Sequence, residues 1–171
     1  PSNPAILQIR FDPETGKQHE EPRVIWRGTG LAYPEAPHFY QRHGWWYLML
    51  AEGGTERGHS ITMARSRSIR GPFEPAPENP VFSHRSRLHP VQNTGHGDLI
   101  QTASGDWAMV YLGVRPRGTS PGYHVNGRET FLAGVHWEAD WPVFNEGAFQ
   151  FAAPPTGFED SFNAPTLDQR W

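Results

Sequence analysis

The sequence predicts an all-β fold, and three observations favour it. The apolar segments are short and bounded by turn residues, as in residues 45–51, which lie between His43-Gly44 and Gly53-Gly54. Glycine and proline are frequent, at 18 and 17 of 171 residues, and 13% of the residues are aromatic. This composition is typical of a folded, turn-rich protein rather than of a disordered chain. No long stretch has helical periodicity.

Four segments are predicted to be strands, in chain order. Residues 45–51 are apolar throughout, so we expect a strand that is covered on both faces. Residues 61–64 alternate and precede the turn signal Gly71-Pro72. The other two predicted strands run over residues 106–114 and 130–137. Proline-rich loops separate them at residues 72–80 and 116–121.

An internal repeat refines this prediction. The segment GWWYLML at residues 44–50 resembles GDWAMVY at residues 105–111, at an offset of 61 residues. Two similar hairpins at one spacing favour radially repeated sheets, as in a β-propeller. A β-sandwich or jelly roll would show the same pair of hairpins, so those folds stay open on this evidence.

A change in composition predicts the domain organisation. Residues 1–147 form one β-rich unit, residues 148–157 contain the linker-like stretch AAPPTG, and residues 158–171 begin a further domain. Because the chain begins at Pro1 without a leader pattern, we expect it to be processed or to be part of something longer. The compartment stays open.

Composition also excludes several classes of function. Lys and Arg number 15 against 18 Asp and Glu, a formal charge of −3, which argues against nucleic acid or an acidic membrane as partner. The absence of cysteine excludes disulfides, thiolate zinc sites and cysteine nucleophiles. The histidines, including His59, His84, His89 and His136, lack zinc-ligand spacing, so zinc-dependent hydrolysis is not predicted.

The repeat offset also pairs Glu35 with His96. In a propeller the innermost strands begin near the central axis, so we expect both side chains in one pocket. Glu35 lies between two prolines in a segment dense in aromatic residues, which predicts a raised pKa and a role as general acid in glycosidic cleavage. The plain alternative is a solvated loop carboxylate and a histidine that caps a turn.

Three further residues are candidate ligands for a substrate or an ion. Arg128 precedes a predicted strand and can donate paired hydrogen bonds to sugar hydroxyls, although a surface ion pair would use the same residue. The ring of Trp45 suits the apolar face of a sugar. His96 lies between two glycines, which allow close approach to a polar group or metal ion. The local pattern alone favours the alternative, a glycine-rich turn in which Asp98 bonds its own backbone.

Several motifs together resemble glycoside hydrolase family 43, the β-xylosidase and α-L-arabinofuranosidase group. The resemblance covers about residues 5–147 and rests on an ordered set rather than on one motif. In chain order the motifs are EAPH at 35–38, YLMLAEGGT at 47–55, ARS at 64–66, GPF at 71–73, NTGHGD at 93–98, VYLGVR at 110–115 and GRETF at 127–131.

The resemblance implies a five-bladed β-propeller and an inverting mechanism with three central carboxylates. This chain would supply about the last two to three blades and the start of a β-sandwich domain. Glu35 falls on the general acid, Arg128 on a substrate-binding arginine, and His96 on a histidine near the axis, beside a structural Ca²⁺ or water. No cofactor is required. Ala36 replaces a family glycine, which we expect to be tolerated where φ is not positive.

The general base and the carboxylate that tunes the acid match nothing before Glu35. We therefore expect the chain alone to lack activity, since an inverting hydrolase needs acid and base about 6.5–9.5 Å apart. The predicted function is inverting exo-hydrolysis of β-xylosidic or α-L-arabinofuranosidic bonds in hemicellulose oligosaccharides. Its predicted partners are xylo- or arabino-oligosaccharides and the missing N-terminal blades or a second chain. The alternative is a non-catalytic carbohydrate-binding propeller or sandwich module.

Overall fold

A computed structural model of the chain describes residues 4–118, 122–148, 161–163 and 166. These residues contain strands and no helix, which confirms the all-β prediction, and no helix among them could cross a membrane. The predicted linker and sandwich start fall outside the described residues, apart from residue 148, residues 161–163 and residue 166. The strands are β1 (Ile6–Gln8), β2 (Arg23–Trp26), β3 (Glu35–Arg42), β4 (Trp45–Glu52), β5 (Ser60–Ser66), β6 (Glu74–Pro75), β7 (Gln92–Gln101), β8 (Trp107–Val114), β9 (Glu129–Glu138) and β10 (Trp141–Glu146).

The strands form three antiparallel sheets in which each strand pairs with its neighbour in the chain. β1 and β2 form a two-stranded hairpin, β3 to β6 form one four-stranded sheet, and β7 to β10 form a second. The predicted strands 45–51 and 106–114 are the second strands of the two larger sheets, β4 and β8. The short edge strand β6 and the outer strand β10 were not predicted, since their sequences carry proline and little alternation.

The central strand β4 is buried on both faces, as its unbroken apolar sequence predicts. Tyr47 and Met49 join the core between the two large sheets. Leu48 and Leu50 point to the opposite face and join a second cluster beneath the β1–β2 hairpin. Both leucines are fully buried, so each contributes about 1.5–3 kcal/mol to the free energy of folding.

Pro37 and Pro142 lie within edge strands, where the missing backbone N–H need not remove a hydrogen bond between strands. Pro37 lies in a bulge of β3, whose register shifts between Glu35 and His38. Pro142 lies in β10, the outer strand of the second sheet. The bulge at Pro37 ends regular pairing close to Glu35, and therefore sets the direction of that side chain.

Side chains of β3 and β7 join the inner edges of the two large sheets. The Tyr40 hydroxyl contacts Asp98 and accepts a hydrogen bond of 3.0 Å from the backbone N–H of Leu99. Nδ1 of His38 lies 3.5 Å from the same Asp98 carboxylate. Burial and the neighbouring Asp98 raise the pKa of Tyr40, so the hydroxyl stays a hydrogen-bond donor at ordinary pH. These contacts hold the segment after Glu35 against the segment after His96.

The sequence repeat has a structural counterpart at this junction. Glu35 pairs with Ala51. Leu112, which follows Ala51 at the repeat offset, pairs with Gly95, the residue before His96. Both β3 and β7 carry irregular register at this point. The two predicted positions are therefore equivalent to within one residue.

Candidate active site

Glu35 is the first residue of β3, and the backbone directly after it is unusual. Ala36 has φ 49°, in the left-handed region that glycine adopts without strain. We expected alanine to be tolerated at this position only if φ were not positive, and the observed φ is positive. Glu35 itself is exposed, so the predicted burial among aromatic rings is absent from the part of the chain that the structure describes.

His96 and Arg128 come from the second large sheet. His96 lies in β7 at φ 49°, within the irregular stretch between the Gln92 and Asp98 pairings. Arg128 directly precedes β9. Both residues are exposed, so their polar atoms are open to a ligand.

His59 is the buried residue at the centre of the site. It precedes β5, and only 1% of it is exposed. Its Nδ1 lies 2.9 Å from the carbonyl oxygen of Asn93, so Nδ1 donates to that oxygen. Its Nε2 is buried without a hydrogen-bond partner among the described residues. Gly95 packs onto the ring, since a Cβ there would lie 2.3 Å from Cδ2 and 2.4 Å from Nε2.

All three predicted site residues influence the pKa of His59. Burial lowers the pKa of His59 below its usual value, and the hydrogen bond to Asn93 opposes that shift. The charge of Arg128, and that of His96 when it is protonated, lower the pKa of His59 further, while the negative charge of Glu35 raises it. All three therefore lie within electrostatic reach of one imidazole, although they come from β3, β7 and the loop before β9.

Sequence reasoning missed the central place of His59, because it considered the histidines only for zinc-ligand spacing. Two glycines accompany it. Gly58 directly precedes it, and the distant Gly95 leaves space for its ring. Neither glycine identifies a partner, since the contacts to Asn93 and Gly95 join segments that lie far apart in the chain.

Glu52 holds the loop that leads into Glu35. Its carboxylate is 1% exposed and accepts hydrogen bonds of 3.1 Å from the backbone N–H of Thr29 to each oxygen. The hydroxyls of Thr29 and Thr62 also donate to it. A Cβ on Gly28 would lie 2.4 Å from the Glu52 carboxylate, so glycine is required for this close approach. Glu52 is thus a positioning residue for the Glu35 segment.

Trp45 is not brought to this group. It pairs with Arg42 at the far end of the β3–β4 hairpin, whereas Glu35 pairs with Ala51, which is about 20 Å away along the strand. Two guanidinium groups already cover the Trp45 ring, with Arg65 at 4.2 Å and Arg67 at 3.5 Å from its centre.

The Ca²⁺ ion beside His96 stays a prediction. Calcium takes six to eight oxygen ligands, and His96 offers only nitrogen. The one group of three ligand side chains that the described residues form, away from this site, does not include His96. Waters, backbone carbonyls or residues outside the described part would have to supply the oxygen atoms.

This arrangement can supply a proton donor and hydrogen bonds to a polar ligand. Glu35 offers an exposed carboxyl group, and Arg128 offers a cation nearby. Two carboxylates on strands of the same sheets are already engaged, Glu52 by the two threonines and Asp98 by Tyr40. Neither of them forms a free pair with Glu35 in the part of the chain that the structure describes.

Comparison with known proteins identifies the family. The model of glycosyl hydrolases family 43 matches residues 1–142. The chain belongs to this family. The motifs around Glu35, His96 and Arg128 all lie within the matched part, so the predicted resemblance is confirmed.

Relatives of this family 43 chain include named glycosidases. It is 47% identical over 143 residues to the non-reducing end alpha-L-arabinofuranosidase BoGH43B of Bacteroides ovatus, an alignment that covers 82% of this chain and 27% of the relative. It is 36% identical over 178 residues to a beta-xylosidase of Bacillus subtilis, with coverage of 96% and 33%. The crystal structure of xylan beta-1,4-xylosidase from Bacillus halodurans superposes with a TM-score of 0.80 at 32% identity, covering 98% of this chain and 34% of that one. The chain thus spans between about a quarter and a third of the length of these relatives.

Proposed function

We propose that this chain is part of an inverting, exo-acting glycosidase that releases xylose or arabinose from hemicellulose oligosaccharides. Glu35 is the general acid that protonates the leaving oxygen, Arg128 binds sugar hydroxyls, and His96 is a polar group beside the sugar. The observation that carries the proposal is that the charges of all three residues act on His59, which is buried. Family membership and the names of the relatives support the substrate class.

The proposed fold of the whole protein explains why charges from separate strands act on one histidine. We propose that sheets β3–β6 and β7–β10 are two blades of a five-bladed propeller whose inner strands are β3 and β7. Residues 158–171 would begin a β-sandwich domain. The junction through Tyr40 and Asp98 supports this arrangement, because it joins the two inner strands next to Glu35 and His96.

We further propose that the general base comes from residues outside this chain. An inverting hydrolase needs a second carboxylate about 6.5–9.5 Å from the acid, positioned to activate water on the opposite face of the sugar. Glu52 and Asp98 are unsuited to this task, since hydrogen bonds already occupy their carboxylates. Purified 171-residue chain should therefore leave xylosides intact, and measurable turnover by it would contradict this part of the proposal.

The role of Glu35 is tested with Glu35→Gln in the full-length gene product that contains these residues. A general acid contributes about 10²–10⁴-fold to the rate, and contributes most when the leaving group is a poor one. The kcat/KM for an oligosaccharide, whose leaving group is a sugar alcohol, should fall by about that factor. Hydrolysis of nitrophenyl xyloside or arabinofuranoside should fall much less, since nitrophenolate departs with little protonation.

The matched control is Glu78→Gln, which removes an exposed loop carboxylate on a segment that carries none of the site residues. It should leave both rates unchanged. Equal losses on the two substrates, or no loss, would remove Glu35 from the acid role. Sugar binding that survives Glu35→Gln in a protein without hydrolytic activity would favour the carbohydrate-binding module instead.

A further inference from the structure

A second cluster of chemically active side chains lies away from Glu35, between the loop that joins β6 to β7 and the end of β10. It consists of His84 and His89 from the loop and Glu146, the last residue of β10. One ligand atom from each residue lies within 4.8 Å of the others. The sequence pattern does not indicate this cluster, because four residues separate the two histidines and Glu146 is distant in the chain.

The distances within the cluster suit a small cation. Nε2 of His84 lies 2.8 Å from Oε2 of Glu146, and Nε2 of His89 lies 3.8 Å from the same oxygen. Ligands around tetrahedral Zn²⁺, bound at about 2.0–2.1 Å, lie about 3.3 Å apart. The two observed distances bracket that value, so shifts of about half an ångström would produce a zinc-binding geometry.

One backbone carbonyl orients both imidazole rings. Nδ1 of His84 lies 2.9 Å and Nδ1 of His89 lies 3.1 Å from the oxygen of Val91. A carbonyl only accepts, so each Nδ1 that bonds to it carries the proton and leaves its Nε2 as a free lone pair. The Val91 N–H also lies 3.1 Å from His89 Nδ1 and favours the other tautomer of that ring, which metal binding would displace. Metal-bound histidines commonly donate their second nitrogen to a carbonyl in this way.

A hydrogen bond from Tyr111 orients the Glu146 carboxylate. The Tyr111 hydroxyl donates to Oε1 of Glu146, which leaves Oε2 facing the histidines. With Nδ1 of His84 protonated, Nε2 and Oε2 are two acceptors at 2.8 Å, an arrangement that requires a proton or a metal ion between them. His84 is 1% exposed, whereas the side chains of His89 and Glu146 are 35% and 30% exposed. The cluster thus has a buried side and an open side through which an ion and a water ligand can enter.

We propose that His84, His89 and Glu146 bind a zinc ion that ties the β6–β7 loop to the end of β10. Two imidazoles and one carboxylate are a donor set typical of zinc, and water supplies the fourth ligand. This proposal is independent of the proposed role of Glu35. The same loop also carries Ser83, whose hydroxyl donates a hydrogen bond of 2.9 Å to the carbonyl oxygen of His59. Zinc binding would therefore also stabilise the backbone position of His59 in the candidate active site.

The test is titration of zinc sulfate into chelator-treated protein, followed by isothermal titration calorimetry and thermal unfolding. One equivalent should bind with a dissociation constant in the micromolar range or below and should raise Tm. Co²⁺ in place of zinc should give the intense visible absorption of a four-coordinate site, which reports on the ligands directly rather than on stability. His89→Ala, at a partly exposed position, and Glu146→Gln, which keeps the side-chain shape, should each weaken binding by at least about 10–100-fold.

The matched control is His136→Ala. Nε2 of His136 lies 2.9 Å from Glu138 on β9, the same pair of groups as His84 and Glu146, but this pair is exposed and has no third ligand among the described residues. This variant should bind zinc like the wild type. Absence of stoichiometric binding, or binding that His89→Ala leaves intact, would overturn the proposal and leave a proton between His84 and Glu146. Equal weakening by His136→Ala would also overturn it, since binding would then lie elsewhere on the surface.

Discussion

Replacement of Ala36 by glycine should stabilise the protein. Ala36 has φ 49°, and a residue with a Cβ pays about 1–2 kcal/mol in the left-handed region. Glycine removes this cost but adds about 0.4–1 kcal/mol of unfolded-state entropy. The expected net gain in the free energy of unfolding is about 1 kcal/mol, which corresponds to a rise in Tm of about 2–4 °C for a chain of this size.

The measurement is urea and thermal unfolding of wild type and Ala36→Gly under one buffer condition. The control is Ala103→Gly in the turn between β7 and β8, where alanine is exposed and its φ is not positive. At that position only the added entropy of the unfolded chain acts, so the free energy of unfolding should fall by up to about 1 kcal/mol. If Ala36→Gly is destabilised as much as Ala103→Gly, the left-handed backbone after Glu35 does not carry the strain argued for it.

Two further predictions concern His59. Gly95→Ala should lower the free energy of unfolding by about 1–3 kcal/mol or more, because the new methyl group would lie 2.3 Å from the His59 ring. The control is Gly122→Ala, whose Cβ would lie 3.3 Å from its nearest neighbour. In urea unfolding it should lose much less. Burial lowers the pKa of His59 below its usual 6.5, so the unfolded state takes up a proton first, and stability should fall as pH drops below about 6.5. His59→Asn, which can still donate to Asn93, should show a smaller fall over the same range; an unchanged pH slope would contradict the argument.

Much of the fold could be predicted from the sequence, because strand formation depends on local pattern. The unbroken apolar run at residues 45–51 predicted a strand buried on both faces, and the two clusters around Tyr47 and Leu48 confirm it. The repeat offset predicted the equivalence of Glu35 and His96, since equal spacing in similar hairpins gives equal strand positions. Strands β1, β2, β6 and β10 lack such patterns and were missed.

The candidate site was predicted only in part, for a different reason. Residue type and motif indicated Glu35, His96 and Arg128, but exposure depends on what packs around a side chain, and Glu35 is open to solvent where aromatic enclosure was expected. Trp45 has the right ring for a sugar, yet strand register places it at the far end of the hairpin. Neighbours along the chain were a poor guide to neighbours in space.

By itself the sequence determined strands β4, β5, β8 and β9, the repeat and the family, because each of these depends on residues that lie close together in the chain. The tertiary structure alone decided which imidazoles are central. His59 meets Asn93 across 34 positions, and His84 meets Glu146 across 62. Such contacts form only when separate sheets pack together, and burial then selects the tautomer, the charge and the partners of each ring. The local pattern around a histidine holds no information on those partners.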